Sequence, residues 1–197
     1  KVAKWMNLVM PVIVLFYKSN GMGMGEIFQL QAVYSLTLMF FEIPTGYFAD
    51  KAGRKTSMIC GSFLGVAGYL IYSASSGFWY FALAEVALGV GQSLVSGADS
   101  AMLYDSLIAG RIPDKYTRYE GRISSIGNFA EALAGIAGGL IAAASLRTPF
   151  YVQTLVAAIA IPAAFSLAEP PVVSQRIKPT LKNALVIIRK ALHSDRK

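Results

Sequence analysis

Six apolar runs, separated by short polar turns, constrain the fold of this chain more than any other feature of its sequence. A helix needs about 20 predominantly apolar residues to cross the hydrocarbon core of a bilayer. Most of the runs have about this length, while the first is short and the fourth is long enough to tilt or to project from the membrane. We therefore predict an all-α, polytopic membrane protein with six transmembrane helices. The runs are Ala3–Tyr17, Ile27–Phe48, Thr56–Ser75, Phe78–Ala109, Ile123–Ser145 and Pro149–Ala168.

The composition agrees with a membrane protein and argues against several other classes. The 197 residues are 55% hydrophobic and only 15% charged, whereas a soluble domain carries about 25% charged residues. The single cysteine, Cys60, rules out an intrachain disulfide framework. The single histidine, His193, leaves no material for a histidine-based metal site or a catalytic triad. We therefore expect no enzyme activity, no cofactor and no metal.

The basic residues are concentrated on one side of the predicted membrane topology. When the turns alternate between the two sides, one side carries 16 of the 18 lysines and arginines, and the other carries only Lys18 and Arg147. Cytoplasmic loops of membrane proteins are enriched in basic residues. We therefore expect a multi-pass protein of the inner (plasma) membrane with both termini in the cytoplasm. The net charge of +7 then reflects this topology, and we expect no nucleic-acid partner.

Residues 46–55 form a charged turn between the second and third runs, with the sequence Gly-Tyr-Phe-Ala-Asp-Lys-Ala-Gly-Arg-Lys. Charged side chains are costly in lipid, and this segment must therefore form a short aqueous hairpin. The turn resembles the signature loop between helices 2 and 3 of major facilitator superfamily transporters, G-x-x-x-D-x-x-G-R-K. Its fixed positions are occupied by Gly46, Asp50, Gly53, Arg54 and Lys55.

This resemblance implies the N-terminal half of a twelve-helix transporter, with six helices in a three-plus-three inverted repeat. Residues 1–169 would form the six-helix bundle. Residues 170–197 have the pattern of a basic amphipathic helix and would form a cytoplasmic linker towards a second half. Because the chain stops near the place where a seventh helix would begin, we expect truncation or cleavage. The solute cavity would then be completed by the missing six-helix half or by a second copy of this chain.

The resemblance also implies a charge latch at the cytoplasmic face. In similar transporters, an acid at the cytoplasmic end of helix 4 pairs with the arginine of the signature loop. Asp105 occupies that place here, and Asp50, Arg54 and Asp105 would hold the two halves in the outward-facing state. The latch would break when the cytoplasmic side opens. The alternative is that Asp105 is an ordinary acid at a helix end.

Ionisable residues inside the predicted spans are candidates for function, because such groups are costly in a membrane. No lysine or arginine lies deep in spans two to six to neutralise the acids. The acids could carry protons or bind substrate, or they could bond to serine, threonine, asparagine and tyrosine and serve only the structure. The candidates are Glu42, Glu85, Asp99 and Glu131, with Gln92 and Asn128 as further polar residues for the cavity.

Two segments resemble the bacterial drug-efflux-like members of the superfamily: the run at residues 96–107 and the segment Glu42-Ile43-Pro44-Thr45-Gly46. This likeness implies proton-coupled efflux of a small organic solute, by antiport and alternating access. Two features depart from proton antiporters. Glu85 stands where many of them have arginine, and the motif G-P-x-x-G-G appears at residues 134–139 without its proline. A six-helix membrane scaffold or receptor without transport stays open as the alternative.

Overall fold

The chain folds into a bundle of antiparallel and parallel helices, which a computed structural model describes for residues 6–169. Within this range, five helices are long and apolar enough to cross a membrane. The prediction of an all-α, multi-pass membrane protein is confirmed at this level. The helices are α1 (Ile13–Ser19), α2 (Met24–Ala52), α3 (Arg54–Ala74), α4 (Phe78–Ala109), α5 (Tyr116–Ala142) and α6 (Thr148–Ser166), with a 3₁₀ turn at Pro113–Lys115.

The first predicted run differs from the prediction. Residues 1–5 lie outside the described range, and the described part of the run becomes helical only at Ile13. The side-chain oxygen of Asn7 accepts hydrogen bonds from backbone N–H groups two and three residues later, at 3.1 and 3.2 Å. Such local bonds compete with a helix, and Pro11 has no N–H to donate. The resulting α1 has seven residues, too few to cross a bilayer.

The start of α5 also differs from the prediction. The helix begins at Tyr116 rather than at Ile123, and its first turns contain Arg118 and Arg122, both exposed. Their charges suggested a turn, because a lipid-embedded helix excludes them. A helix that projects beyond the bilayer has no such restriction. The predicted linker at residues 170–197 lies outside the described residues.

Helix α4 lies in the middle of the bundle, because small residues let α2 and α3 approach it closely. A Cβ atom added to Gly61 of α3 would lie 2.7 Å from the carbonyl oxygen of Gly91 in α4. On the other side, a Cβ atom added to Gly89 would lie 2.9 Å from Thr37 of α2. Helix α6 packs against α3. These contacts fix which faces of α4 are buried.

A hydroxyl pair ties α2 to α4 beside a proline. Pro44 lies inside α2 and removes one backbone N–H from the helix. The hydroxyl group of Thr45 donates to the carbonyl oxygen of Phe41 at 2.6 Å, and the hydroxyl oxygen of Ser93 in α4 lies 2.6 Å from that of Thr45. Because the Thr45 proton is already used, Ser93 is the donor between the helices.

The bundle has two chemically different ends. Gly53, with φ of 99°, joins α2 directly to α3, and Gly77, with φ of 106°, precedes α4. These tight turns make consecutive helices run in opposite directions. We call the end with the α2–α3 and α4–α5 connections the basic end, and the other the opposite end. The basic end carries Lys51, Arg54, Lys55, Arg111, Lys115, Arg118 and Arg122, whereas the opposite end carries Lys18 and Arg147.

Candidate functional site

An ion pair at the basic end connects the α2–α3 turn to the last turns of α4. Arg54 is the first residue of α3, and Asp105 lies near the end of α4. The Nη1 atom of Arg54 lies 2.6 Å from the Oδ2 atom of Asp105, and the two side chains are 19% and 20% exposed. The two groups form an ion pair, but the Nη1 atom of Arg54 makes no hydrogen bond of good geometry. Partial shielding from water strengthens such a pair relative to an exposed one.

The positions of the two charges in their helices explain why they need each other. A helix carries partial positive charge at its N-terminus and partial negative charge at its C-terminus. Arg54 stands at the N-terminus of α3, and Asp105 stands near the C-terminus of α4. Each charge is therefore disfavoured by its own helix. The pair compensates for both placements, and separating it would leave both uncompensated.

The remaining signature residues lie at the same end of the bundle. Asp50 is exposed on the last turn of α2, and Lys55 is half-buried in the first turn of α3. Gly46 approaches α4 closely, since a Cβ atom added to Gly97 would lie 3.7 Å from the Gly46 Cα. The structure thus places the signature turn against the end of α4 and brings its arginine to Asp105.

Glu169, three residues after the end of α6, also lies at the basic end. The sequence did not predict its contact with the signature turn. Its Oε1 atom accepts a hydrogen bond of 2.7 Å from the backbone N–H of Arg54. A carboxylate is favoured there, because the first N–H groups of a helix have no partner within the helix. The same oxygen would lie 2.6 Å from a Cβ atom on Gly53, a second reason for glycine at that turn. The two bonded residues are 115 positions apart, and no local signal connects them.

A second polar cluster is buried between α1, α3 and α4. Glu85 is 4% exposed, and its Oε1 atom lies 2.7 Å from the hydroxyl oxygens of both Tyr17 and Tyr72. The two hydroxyl oxygens are 2.5 Å apart. The sequence singled out Glu85 by its charge, but the tyrosines looked like ordinary apolar-run residues. Only the packing of three helices shows that they meet.

Asp99 is the other buried acid among the predicted candidates. It is 6% exposed, and the hydroxyl oxygen of Ser100 lies 3.1 Å from its Oδ1 atom. The same hydroxyl lies 3.3 Å from the Oε1 atom of Glu120 in α5. Gln92, one of the polar candidates, is half-buried on α4. The polar contact between α4 and α5 is thus made by Ser100 and Glu120, next to Asp99.

The other predicted candidates lie on the surface of the described part of the chain. Glu42 on α2 is exposed, as are Asn128 and Glu131 on α5. Large apolar side chains share these surfaces, such as Ile43, 75% exposed, and Phe129, 68% exposed. The candidate acids therefore divide into a buried class and a surface class and do not form one cluster. Among residues 6–169, no three His, Cys, Asp or Glu side chains converge on a possible metal site.

Part of the chain is similar in sequence to known bacterial proteins. The quinolone resistance protein NorA of Staphylococcus aureus is 26% identical over 145 residues, which cover 74% of this chain and 36% of NorA. The uncharacterized MFS-type transporter YxaM of Bacillus subtilis is 23% identical over 145 residues, which cover 74% of this chain and 35% of YxaM. The chain thus matches about a third of the length of these relatives.

A family model extends over nearly the whole chain. The model described as Major Facilitator Superfamily matches residues 5–196. This match confirms the family resemblance that the Gly46–Lys55 motif predicted. The chain belongs to the Major Facilitator Superfamily.

Proposed function

We propose that this chain forms one six-helix bundle, a three-plus-three inverted repeat, of a secondary transporter. The protein moves a small organic solute across the inner membrane by alternating access. The observation that carries this proposal is the Arg54–Asp105 ion pair, 2.6 Å between Nη1 and Oδ2. Alternating access needs a contact that is stable in one state and broken in the other. Family membership supports the same function.

The pair has the properties of a reversible latch at the cytoplasmic face. With both termini in the cytoplasm, the basic end faces that compartment, and the closed pair belongs to the outward-facing state together with Asp50. Each side chain is about one-fifth exposed, and water reaches both charges as soon as the end opens. Hydration then replaces part of the lost attraction. The latch therefore stabilises the closed state without making it permanent.

Efflux coupled to protons is the form of transport that we favour. The quinolone resistance protein NorA is one of the relatives, and the efflux-like segments of this chain agree with it. One or more of Glu42, Glu85, Asp99 and Glu131 carries the proton in this proposal. Glu42 and Glu131 are exposed on the surfaces of their helices. A charged group inside a membrane span needs water or a partner.

A second six-helix bundle completes the cavity in this proposal. Helix α5 exposes large apolar side chains along its length, including Ile136 at 63% and Leu140 at 72%. Lipid covers some of these residues, and the partner bundle covers the others. The partner is the second half of the transporter, whereas a second copy of this chain is the alternative. A mass measurement of the protein in detergent distinguishes a monomeric transporter from a dimer of half-transporters.

The test is solute flux in proteoliposomes with an imposed pH gradient, using the full-length protein and a fluorescent quinolone. We expect Arg54→Gln and Asp105→Asn each to lower the flux about tenfold, equivalent to about 1.4 kcal/mol. Because both variants break the same pair, the double variant should lose little more than either alone. Arg118→Gln, which removes an exposed charge at the same end, serves as the control and should retain wild-type flux.

The outcomes separate the rival functions. Additive losses in the double variant would show that the two residues do not act as a pair. Absence of gradient-driven flux in the wild-type protein, with this and other small organic solutes, would favour the scaffold or receptor. Flux that persists without a pH gradient and in each acid-to-amide variant would remove proton coupling from the proposal.

A further inference from the structure

The oxygens of Glu85, Tyr17 and Tyr72 form a closed triangle, here called the Glu85 ring. Its sides are 2.7 Å from each tyrosine hydroxyl to the Glu85 Oε1 atom and 2.5 Å between the two hydroxyls. All three distances lie in the range of O–H···O hydrogen bonds. Glu85 and Tyr72 are buried at 4% and 1%, and Tyr17 is fully buried.

The number of protons in the ring follows from these distances. Each side of the triangle needs one proton between its two oxygens. The two tyrosines supply two protons, and three sides need three. If Glu85 were ionised, both hydroxyls would donate to it, and the 2.5 Å side would bring two lone pairs together without a proton. A protonated Glu85 supplies the third proton, and each oxygen then donates once and accepts once.

We infer that the Glu85 ring is a proton-binding site and that Glu85 holds its proton in this conformation. The ligand is a proton, taken up by one carboxylate oxygen and released from it to water. The ring thus singles out one of the acids in the proposed function, and its role in transport rests on that proposal. Its occupancy can be measured independently of transport.

The surroundings of the ring support the neutral form of the carboxyl group. Phe81 stacks on Tyr72 with ring centroids 5.0 Å apart, and Phe150 lies 5.3 Å from the same ring. Both phenylalanines are fully buried. An isolated carboxylate among aromatic rings carries a large desolvation cost.

The titratable and charged groups around Glu85 include no cation that pairs with it in the described part of the chain. From α1 the facing group is Tyr17, from α2 it is Tyr34, and from α3 they are Tyr69 and Tyr72.

Helix α6 contributes Phe150, and the arginine before that helix, Arg147, lies over the ring of Phe16 at 5.7 Å. Its guanidinium group donates to the carbonyl oxygen of Ser73 and to the side-chain oxygen of Asn20, both at 3.3 Å. The guanidinium group of Arg147 therefore bonds to neutral oxygens, and no bond between it and Glu85 is found in the described part of the chain.

The ring also connects three helices, which gives proton release a structural consequence. Tyr17 belongs to the short α1, Tyr72 to α3 and Glu85 to α4. Loss of the third proton leaves one side of the triangle without a hydrogen bond. Movement of α1 away from α3 and α4 relieves that contact, and proton release thereby favours a different arrangement of these helices.

Infrared difference spectroscopy of the purified full-length protein tests the inference. A protonated carboxyl group has a C=O stretching band that is separate from the bands of carboxylates and amides. We expect such a band at neutral pH, its loss in Glu85→Gln, and its displacement in Tyr72→Phe, because that variant removes one of the two hydrogen bonds at the Glu85 Oε1 atom. Asp114→Asn, which changes an exposed acid in the turn before α5, is the control and should leave this band in place.

The outcomes decide the inference and the proposed function separately. A neutral-pH spectrum in which neither Glu85→Gln nor Tyr72→Phe alters a carboxyl band overturns the ring as an occupied proton site. If Glu85→Gln does not fold, the Tyr72→Phe displacement alone decides. Gradient-driven flux without the band overturns the ring and leaves the transporter intact. The band in a protein without flux supports the ring and contradicts the transport proposal.

Discussion

At the scale of single residues, the chemistry of this chain depends on charges placed where their own helices disfavour or favour them. Arg54 and Asp105 occupy unfavourable helix ends and compensate for each other at 2.6 Å. Glu169 occupies a favourable one, at the N-terminus of α3, where it accepts the N–H of Arg54. The motif predicted the importance of Arg54, but the contribution of Glu169 required the structure.

Replacing Glu169 tests whether it stabilises the start of α3. Glu169→Ala removes the acceptor of the Arg54 N–H, and loss of a capping side chain costs about 1 kcal/mol. Glu169→Gln keeps a neutral acceptor, and we expect it to retain most of the stability. Thermal unfolding in detergent measures both, with Asp114→Asn, an exposed acid at the same end, as the control. Equal midpoints for the alanine variant and the wild type would contradict a capping role.

At the scale of helices, glycines decide how closely α4 approaches its neighbours. Two glycines of α3 differ sharply in their surroundings, although they are one helical turn apart. A Cβ atom on Gly61 would meet the backbone oxygen of Gly91 at 2.7 Å, whereas one on Gly65 would meet nothing within 4 Å. The sequence shows a stripe of small residues, but it does not show which member lies in the contact.

This difference gives a matched pair of substitutions on one helix. Gly61→Ala forces a methyl group against backbone that cannot move aside, and overpacking of this kind costs about 1–3 kcal/mol. Gly65→Ala meets no neighbour, and the higher helix propensity of alanine should leave stability unchanged or raise it by up to about 1 kcal/mol. Thermal midpoints of the two variants in detergent provide the measurement. Similar midpoints would mean that α3 and α4 do not pack through Gly61.

At the scale of the whole molecule, the two ends of the bundle differ in charge. The basic end collects the charged connections around Arg54, Lys115 and Arg118, and the opposite end carries Lys18 and Arg147. This asymmetry is the basis for the proposed cytoplasmic location of the basic end. It also separates the Arg54–Asp105 pair from the Glu85 ring, which lies near the start of α4.

Cysteine labelling tests the orientation directly. In a variant with Cys60 replaced by serine, Ser76→Cys introduces a thiol at the opposite end and Lys115→Cys one at the basic end; both native residues are exposed. We expect a membrane-impermeant maleimide to label position 76 in intact cells. Position 115 should react only after the membrane is permeabilised. The reverse pattern would place the basic end outside the cytoplasm.

The sequence by itself determined the membrane-spanning helices α2 to α6, the family and the charge difference between the ends. These properties depend on local composition and on short motifs such as Gly46–Lys55, because hydropathy and turn chemistry act on neighbouring residues. The same reasoning predicted a first span that the described residues do not form, since Asn7 and Pro11 favour turns there.

Only the tertiary structure decided which polar groups meet. Arg54 reaches Asp105 and Glu169, and Glu85 reaches Tyr17 and Tyr72, across sequence separations as large as 115 residues. The tertiary structure also divided the acids of the spans into buried and exposed classes. The physical reason is that contacts between helices depend on the faces that pack together, and those faces are fixed by the close fit of small residues along α3 and α4.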